Sequence, residues 1–266
     1  MRDEQARAAT AQAIRALGTP QFMSRFLALL RTLAAFDNLI VIAYCDEQRP
    51  EALYREYTDP VVYLPMDSEY LEGAYLLDPF YLQHRQGRAS GVERLADIAP
   101  DRFRRSEYFR SYYRQTTLID EIAIFARLSP LITLTACMGR DRSSGTRFLP
   151  REVNALKRDE ATLSALMETH WRDYQPTLGT PARALPLSQR LQHALAREHD
   201  VQLSPRQAEV ALYILRGHSS QSIGRALRIS AQTVKVFRRQ LYAKCAVSSQ
   251  AQLFALLLPL LTGLSE

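Results

Sequence analysis

The chain is short of cysteine, tryptophan, glycine signatures and long apolar runs, and each shortage closes off a class of protein. Its 266 residues include three cysteines, Cys45, Cys137 and Cys245, odd in number and far apart. They form neither a disulfide framework nor a zinc spacing, so reduced thiols and a cytoplasmic location are expected. The apolar stretch Leu256–Leu261 is far too short to span a bilayer, and no membrane partner is expected. The N-terminus, MRDEQARAATAQ, lacks the apolar core of a secretory signal. The ten glycines make no dinucleotide fingerprint. The segment GRDRSSGT (139–146) imitates a phosphate loop only superficially, because it has no lysine. The five histidines (His84, His170, His193, His199 and His218) show no metal spacing, and no nucleophile elbow occurs. No catalytic residue, metal or cofactor is therefore expected.

What is present is a lopsided charge. The formal net charge is +6. Residues 201–266 hold eight basic groups against two acids, Glu209 and Glu266, while residues 1–200 balance. A small basic module on a neutral body implies a polyanionic partner for the module.

Along the chain, 3–17 and 20–34 read as helices, the second with Phe22, Phe26, Leu29, Leu30 and Leu33. NLIVIAYC (38–45) reads as a buried strand, paired with EALYREYT (51–58). DRFRRSEYFRSYYRQ (101–115) is helical by composition. IDEIAIFARL (119–128) and PLITLTACM (130–138) are strands. In the second, Ile132, Leu134, Ala136 and Met138 alternate with Thr133, Thr135 and Cys137, the pattern of a half-buried strand. A loop at 139–146 and one long helix from Arg151 to Tyr174 follow. The segment QPTLGTPARALP (175–186) has three prolines and a glycine and marks a boundary. The expected division is a sensing and dimerising body at 1–174, a linker with a short helix at 175–200, and a DNA-binding module at 201–266. The fold class is α+β for the body, an antiparallel sheet with flanking helices of PAS- or GAF-like shape, plus an all-α four-helix module.

Within the module, Ser204, Pro205 and Gln207 make a capping box with proline in the first turn. Gly217 ends that helix. Ser219 or Ser220 caps a second helix that buries Ile223 and Leu227. Residues 228–230 turn tightly, Ser230 caps a third helix running to about Lys244, and Ser248 or Ser249 caps a fourth. On the third helix, Val234, Phe237, Leu241 and Cys245 share one side. Lys235, Arg238, Arg239 and Tyr242 are read onto the other, with Gln232 beside them. A major groove admits one such helix, and arginine and glutamine suit base edges.

Residues 203–255 resemble the C-terminal helix-turn-helix of the LuxR/FixJ/NarL class of bacterial transcription regulators. The matching residues are Leu203, Pro205, Arg206, Glu209, Val210, Gly217, Ile223, Leu227, Ile229, Ser230, Thr233, Val234, Lys235, Val236, Lys244 and Val247. The resemblance implies that Lys235, Val236 and Arg239 face the groove, and that Ser220, Gln221, Thr233, Arg238 and Lys244 neighbour phosphates. The chain departs from the pattern at Gly224, Phe237 and Cys245. Leucines 256–258, 260 and 261 resemble that class's dimerisation surface, or else close the module's own core.

The class joins its DNA reader to different input domains. A phosphoacceptor receiver fits poorly: Asp46 and Glu47 imitate its acidic pair, but no aspartate ends a second apolar strand further on. The tryptophan-containing pocket of acyl-homoserine-lactone sensors is missing, since the sole tryptophan is Trp171. A PAS- or GAF-like sensor of another small molecule remains; YLLDPFY (75–81) and LIDE (118–121) resemble segments of such regulators. Ten of thirteen tyrosines lie between Tyr44 and Tyr113. Tyr75, Tyr81, Tyr108 and Tyr112 with Asp78, Asp120 and Glu121 are the candidate pocket, aromatic and acidic, suited to a cationic amine. Expected partners are a double-stranded operator, a small effector, a second copy in a homodimer, and RNA polymerase. The alternative is an orphan regulator whose body only dimerises or binds protein.

Overall fold

A computed structural model describes residues 2–46, 48–177 and 185–262. Most of the expected 175–186 boundary, at 178–184, and Glu47 lie outside the described residues.

The body is built on a five-stranded antiparallel sheet: β1 (Asn38–Cys45), β2 (Glu51–Tyr57), β3 (Gly91–Arg94), β4 (Leu118–Arg127) and β5 (Ile132–Asp141), in the order β2-β1-β5-β4-β3. One face packs Leu39, Val41, Ile122, Ile124, Leu134, Ala136 and Met138 under α2 (Phe22–Leu33), α6 (Pro150–Arg158) and α7 (Glu160–His170), with α1 (Arg2–Arg15) against α2. The other face, with Ile40, Ile42, Tyr44, Ala123, Phe125 and Cys137, lies under the irregular stretch between β2 and β4. That stretch holds α3 (Pro79–Arg85), α4 (Leu95–Ile98), α5 (Glu107–Ser111) and several 3₁₀ turns.

Because β5 is central, the expected half-buried strand is buried on both sides: Thr133, Thr135 and Cys137 are as enclosed as Leu134 and Ala136. It also runs on through Gly139 to Asp141, into the expected loop. Asn38 Oδ1 would lie 2.2 Å from any Cβ at Gly139, so only glycine fits there. The single helix expected over 101–115 is a 3₁₀ turn at Phe103–Arg105, then α5, then another 3₁₀ turn. Ser106 restarts the chain as N-cap of α5, accepting from the Phe109 amide at 3.1 Å. The long helix expected over 151–174 breaks at Asp159 into α6 and α7, keeping Val153, Leu156, Leu163 and Met167 buried.

The C-terminal helices are α8 (Leu187–His199), α9 (Pro205–Leu215), α10 (Ser220–Leu227), α11 (Ala231–Lys244) and α12 (Gln250–Thr262). Here α8 packs on α9 and α12 through Leu191, Ala194 and Leu195. The core of these helices is continuous with the sheet's tyrosine-rich face. Leu257, Leu260 and Leu261 of α12 are buried, and α12 touches the 74–77 turn and α5 as well as α8 and α9. Of the five leucines read as a dimer surface or a core lid, these three are covered within this chain, while Leu256 and Leu258 are half-buried. No described helix is long and apolar enough to cross a membrane.

Candidate functional site

The reader module is assembled by local chemistry. Ser204 Oγ accepts from the Gln207 amide at 3.2 Å, and Gln207 Oε1 accepts from the Ser204 amide at 2.9 Å. Ser219, Ser230 and Ser249 accept from Ser222, Thr233 and Gln252 at 3.1, 2.9 and 3.1 Å. The α10–α11 turn closes with Arg228 left-handed, at φ 55°. Gly224 has a reason here: a Cβ would sit 2.7 Å from the Ile229 carbonyl oxygen. With α10 and α11 so fixed, Val234 and Leu241 are wholly buried. Gln232, Thr233, Lys235, Val236 and Arg239 are exposed, forming an outward strip on α11.

The side of α11 read for Arg238 and Tyr242 differs in the fold. Arg238 and Tyr242 are half-buried rather than opposite the core side; the guanidinium lies 5.9 Å from the Tyr242 ring, and the ring packs on the core. Position 238 is one helical turn from 234 and two from 245, so it returns toward the side that both of them occupy. Lys244 Nζ donates to the Gln202 carbonyl at 2.7 Å and to Gln207 Oε1 at 3.0 Å, tying the end of α11 to the start of α9. Ser220 and Gln221 begin α10, Ser220 half-buried and Gln221 exposed.

The same module is seated on the body. The Arg102 amide donates to the Gly217 carbonyl at 2.9 Å. Asp101 Oδ1 accepts from the Ser219 amide at 2.9 Å. At Gly217, φ 89°, a Cβ would lie 3.0 Å from Phe103 Cα and 3.0 Å from Ser106 Cβ, so glycine permits this close approach. Asp101→Ala should speed hydrogen exchange at the Ser219 amide roughly tenfold, the weight of one charge-assisted hydrogen bond, while α9 keeps its protection.

The candidate pocket lies on the tyrosine-rich face of the sheet. Asp78 caps α3, accepting from the Phe80 amide at 2.6 Å, and its other oxygen accepts from Tyr108 Oη at 3.2 Å. Burial pushes the carboxyl up to about 6 against these donors. Glu121 accepts from Tyr113 Oη at 3.0 Å. The residue is half-buried, but its carboxyl group is enclosed; burial and the Asp78 charge push it up to about 8. Neither carboxylate has an ion-pair partner among the described residues. Both line a cavity of about 30 Å³ with Tyr63, Met66, Tyr70, Tyr112, Tyr113 and Cys137.

Of the expected pocket residues, Asp78, Tyr112 and Glu121 line the cavity, and Tyr108 reaches it through Asp78. Tyr75 and Tyr81 are buried behind it, edge to face at 4.9 Å. Asp120 is not part of it. It points to the other side of β4, where Arg94 Nε donates at 3.0 Å and the Phe148 amide at 3.0 Å. Adjacent strand residues face opposite sides, so Asp120 and Glu121 could not share one pocket. Tyr63, Tyr70 and Tyr113 join the cavity without a forewarning in the sequence; their place depends on 3₁₀ and π turns that leave no periodic signal.

Comparison with known proteins fits this geometry. Residues 201–257 match GerE, the bacterial regulatory proteins of the luxR family. A curated HTH-type transcriptional regulator from the exeN 3' region of Aeromonas salmonicida is 30% identical over 186 residues, covering 68% of this chain and 93% of the relative. The chain belongs to the LuxR family of transcription regulators. The regulator's body also resembles a solved structure, the VqsR LBD domain of Pseudomonas aeruginosa, at 25% identity and TM-score 0.53, over 64% of this chain and 98% of that one. Escherichia coli SdiA aligns over 98% of each chain at 16% identity, with a TM-score of 0.44. The regulator is thus an α+β body of ligand-binding-domain type joined to a DNA-binding helix-turn-helix.

Proposed function

We propose that the regulator is a cytoplasmic homodimer that binds a DNA operator through the outward strip of α11 and senses a small amine in the Asp78–Glu121 pocket. The body, 1–174, is the sensor, not an enzyme; 201–266 is the reader, in contact with RNA polymerase when bound. Lys235, Val236 and Arg239, with Gln232, meet base edges. Ser220, Gln221, Thr233 and Arg238 serve phosphates, and Lys244 does so with the donor capacity its two internal bonds leave. The observation that supports the amine is a pair of enclosed carboxyls facing aromatic rings with no cationic partner among the described residues. A ligand cation would offset the cost of ionising them. Asp78 caps α3, directly after the 74–77 turn on which α12 rests, so filling the pocket would alter the seat of the reader.

A second reading, an orphan body that only dimerises or binds protein, is favoured by the size of the cavity. About 30 Å³ holds a water or an ammonium group, and a larger ligand must displace tyrosine rings. A thermal-shift screen with amines, polyols and carboxylates separates the two. Amines should stabilise the protein, increasingly as pH rises from 6 to 8 and the carboxyls ionise. Stabilisation by none of them supports the orphan body, and stabilisation by anions alone rejects the amine.

A further inference from the structure

A second concavity, separate from the acidic pocket and of opposite character, opens beside the seam between body and reader. It encloses about 560 Å³, the size of a small-molecule site. Its floor is apolar and aromatic: Leu95, Phe103, Phe109, Tyr113, Leu118 and Ile119. Phe109 and Tyr113 stack at 5.2 Å and 22°. Its rim carries Arg102, Arg104, Arg105 and Arg147.

The charges of this groove are unequal in their commitments. Of its two acids, Asp120 is held through both oxygens and Asp101 through one. Asp120 is gripped by Arg94 and the Phe148 amide, and Asp101 accepts from the Ser219 amide. Among the described residues, the guanidinium groups of Arg102, Arg104, Arg105 and Arg147 make no hydrogen bond or ion pair, and Asp101 is near Arg102. Planar guanidinium groups with free donors around an aromatic floor match a planar anion: carboxylate oxygens to the rim, ring to the floor. DNA phosphates would use the rim but not the floor.

We propose that this groove is a binding site for a small aromatic carboxylate. The site is also placed to be read. The 101–103 segment that forms its wall holds the α9–α10 turn, through the Asp101 carboxylate to Ser219 and the Arg102 amide to Gly217. An anion drawing Arg102 and Arg104 inward acts on the segment that seats the reader. The proposal goes beyond the amine reading and does not depend on it: the groove meets the acidic pocket only at Tyr113 and Leu118.

The test is calorimetric titration of the full chain with benzoate, 4-hydroxybenzoate and indole-3-acetate at fixed ionic strength, with inorganic phosphate and cyclohexylamine as controls. At least one aromatic carboxylate should bind saturably at one site per chain, at least tenfold tighter than phosphate. Arg104→Gln with Arg147→Gln should weaken it at least tenfold, whereas Glu121→Gln should leave it intact. Both arginines are exposed, so the double variant keeps its fold, which its melting temperature checks. Binding lost in Glu121→Gln but kept in the arginine variant would move the ligand to the acidic pocket and overturn the groove. So would the absence of saturable binding by all three carboxylates, including the case where the arginine variant weakens only DNA binding.

Discussion

Lys235→Ala combined with Arg239→Ala should remove specific operator binding while leaving the fold intact. Both side chains are exposed on α11, and neither makes a hydrogen bond or ion pair among the described residues. Removing a hydrogen-bonded pairing with a base edge costs about 1–3 kcal/mol, so each single variant should lose roughly ten- to a hundredfold in affinity and the pair more. The remaining non-specific binding should stay strongly salt-dependent, because Arg225, Arg228, Arg238 and Lys244 keep the module basic. Titrating a selected operator and a scrambled duplex at two salt concentrations measures both. Equal losses on the two duplexes would mean that these residues touch phosphates rather than bases.

Glu121→Gln should stabilise the ligand-free regulator in alkali. The folded protein raises this carboxyl from an ordinary value of 4.5 to about 8. A raised acid keeps its proton in the folded state while the unfolded chain has already lost it. The wild type is therefore penalised progressively as pH climbs from about 4.5 through 8, and the penalty is full above 8. At about 1.4 kcal/mol per unit the difference is at most about 4–5 kcal/mol. Asp78, raised to about 6, adds a smaller slope between about 4 and 6. Denaturant melts of wild type and variant at pH 5 and pH 9 should nearly coincide at the first and diverge at the second. A bound amine should flatten the wild-type profile, since its charge offsets the ionised pair.

The parts of this molecule that could be read from the chain are those governed by neighbours in sequence. The caps at Ser204, Ser219, Ser230 and Ser249 and the stop at Gly217 are local, and the reader followed from them. The runs of β1 and β4 declared themselves by β-branched content. The edge strand β3, only Gly91–Arg94, is too short to show alternation. That β5 is buried on both faces depends on which elements cover the sheet, which its alternating pattern cannot reveal. The pocket was half readable. Asp78 and Glu121 carried a signal as acids set among aromatics, and strand alternation in IDE was enough to send Asp120 to the other face. Tyr63, Tyr70 and Tyr113 arrive from separate turns and become neighbours only in the fold. The seating of α12 on the 74–77 turn is likewise a tertiary fact, and Leu257, Leu260 and Leu261, which the sequence leaves open to a second chain, are buried in this one.

The most direct measurement is photocrosslinking from α11 in the full-length protein bound to DNA, with a benzoylphenylalanine placed at Val236 in one variant and at Glu198 on α8 in another. Both positions are exposed, so both proteins should fold. Covalent attachment to bases is expected from position 236, competed away by specific but not scrambled duplex, and none from position 198. Crosslinks from 198 with none from 236 would contradict it, because the DNA would then lie on a surface other than the outward strip of α11.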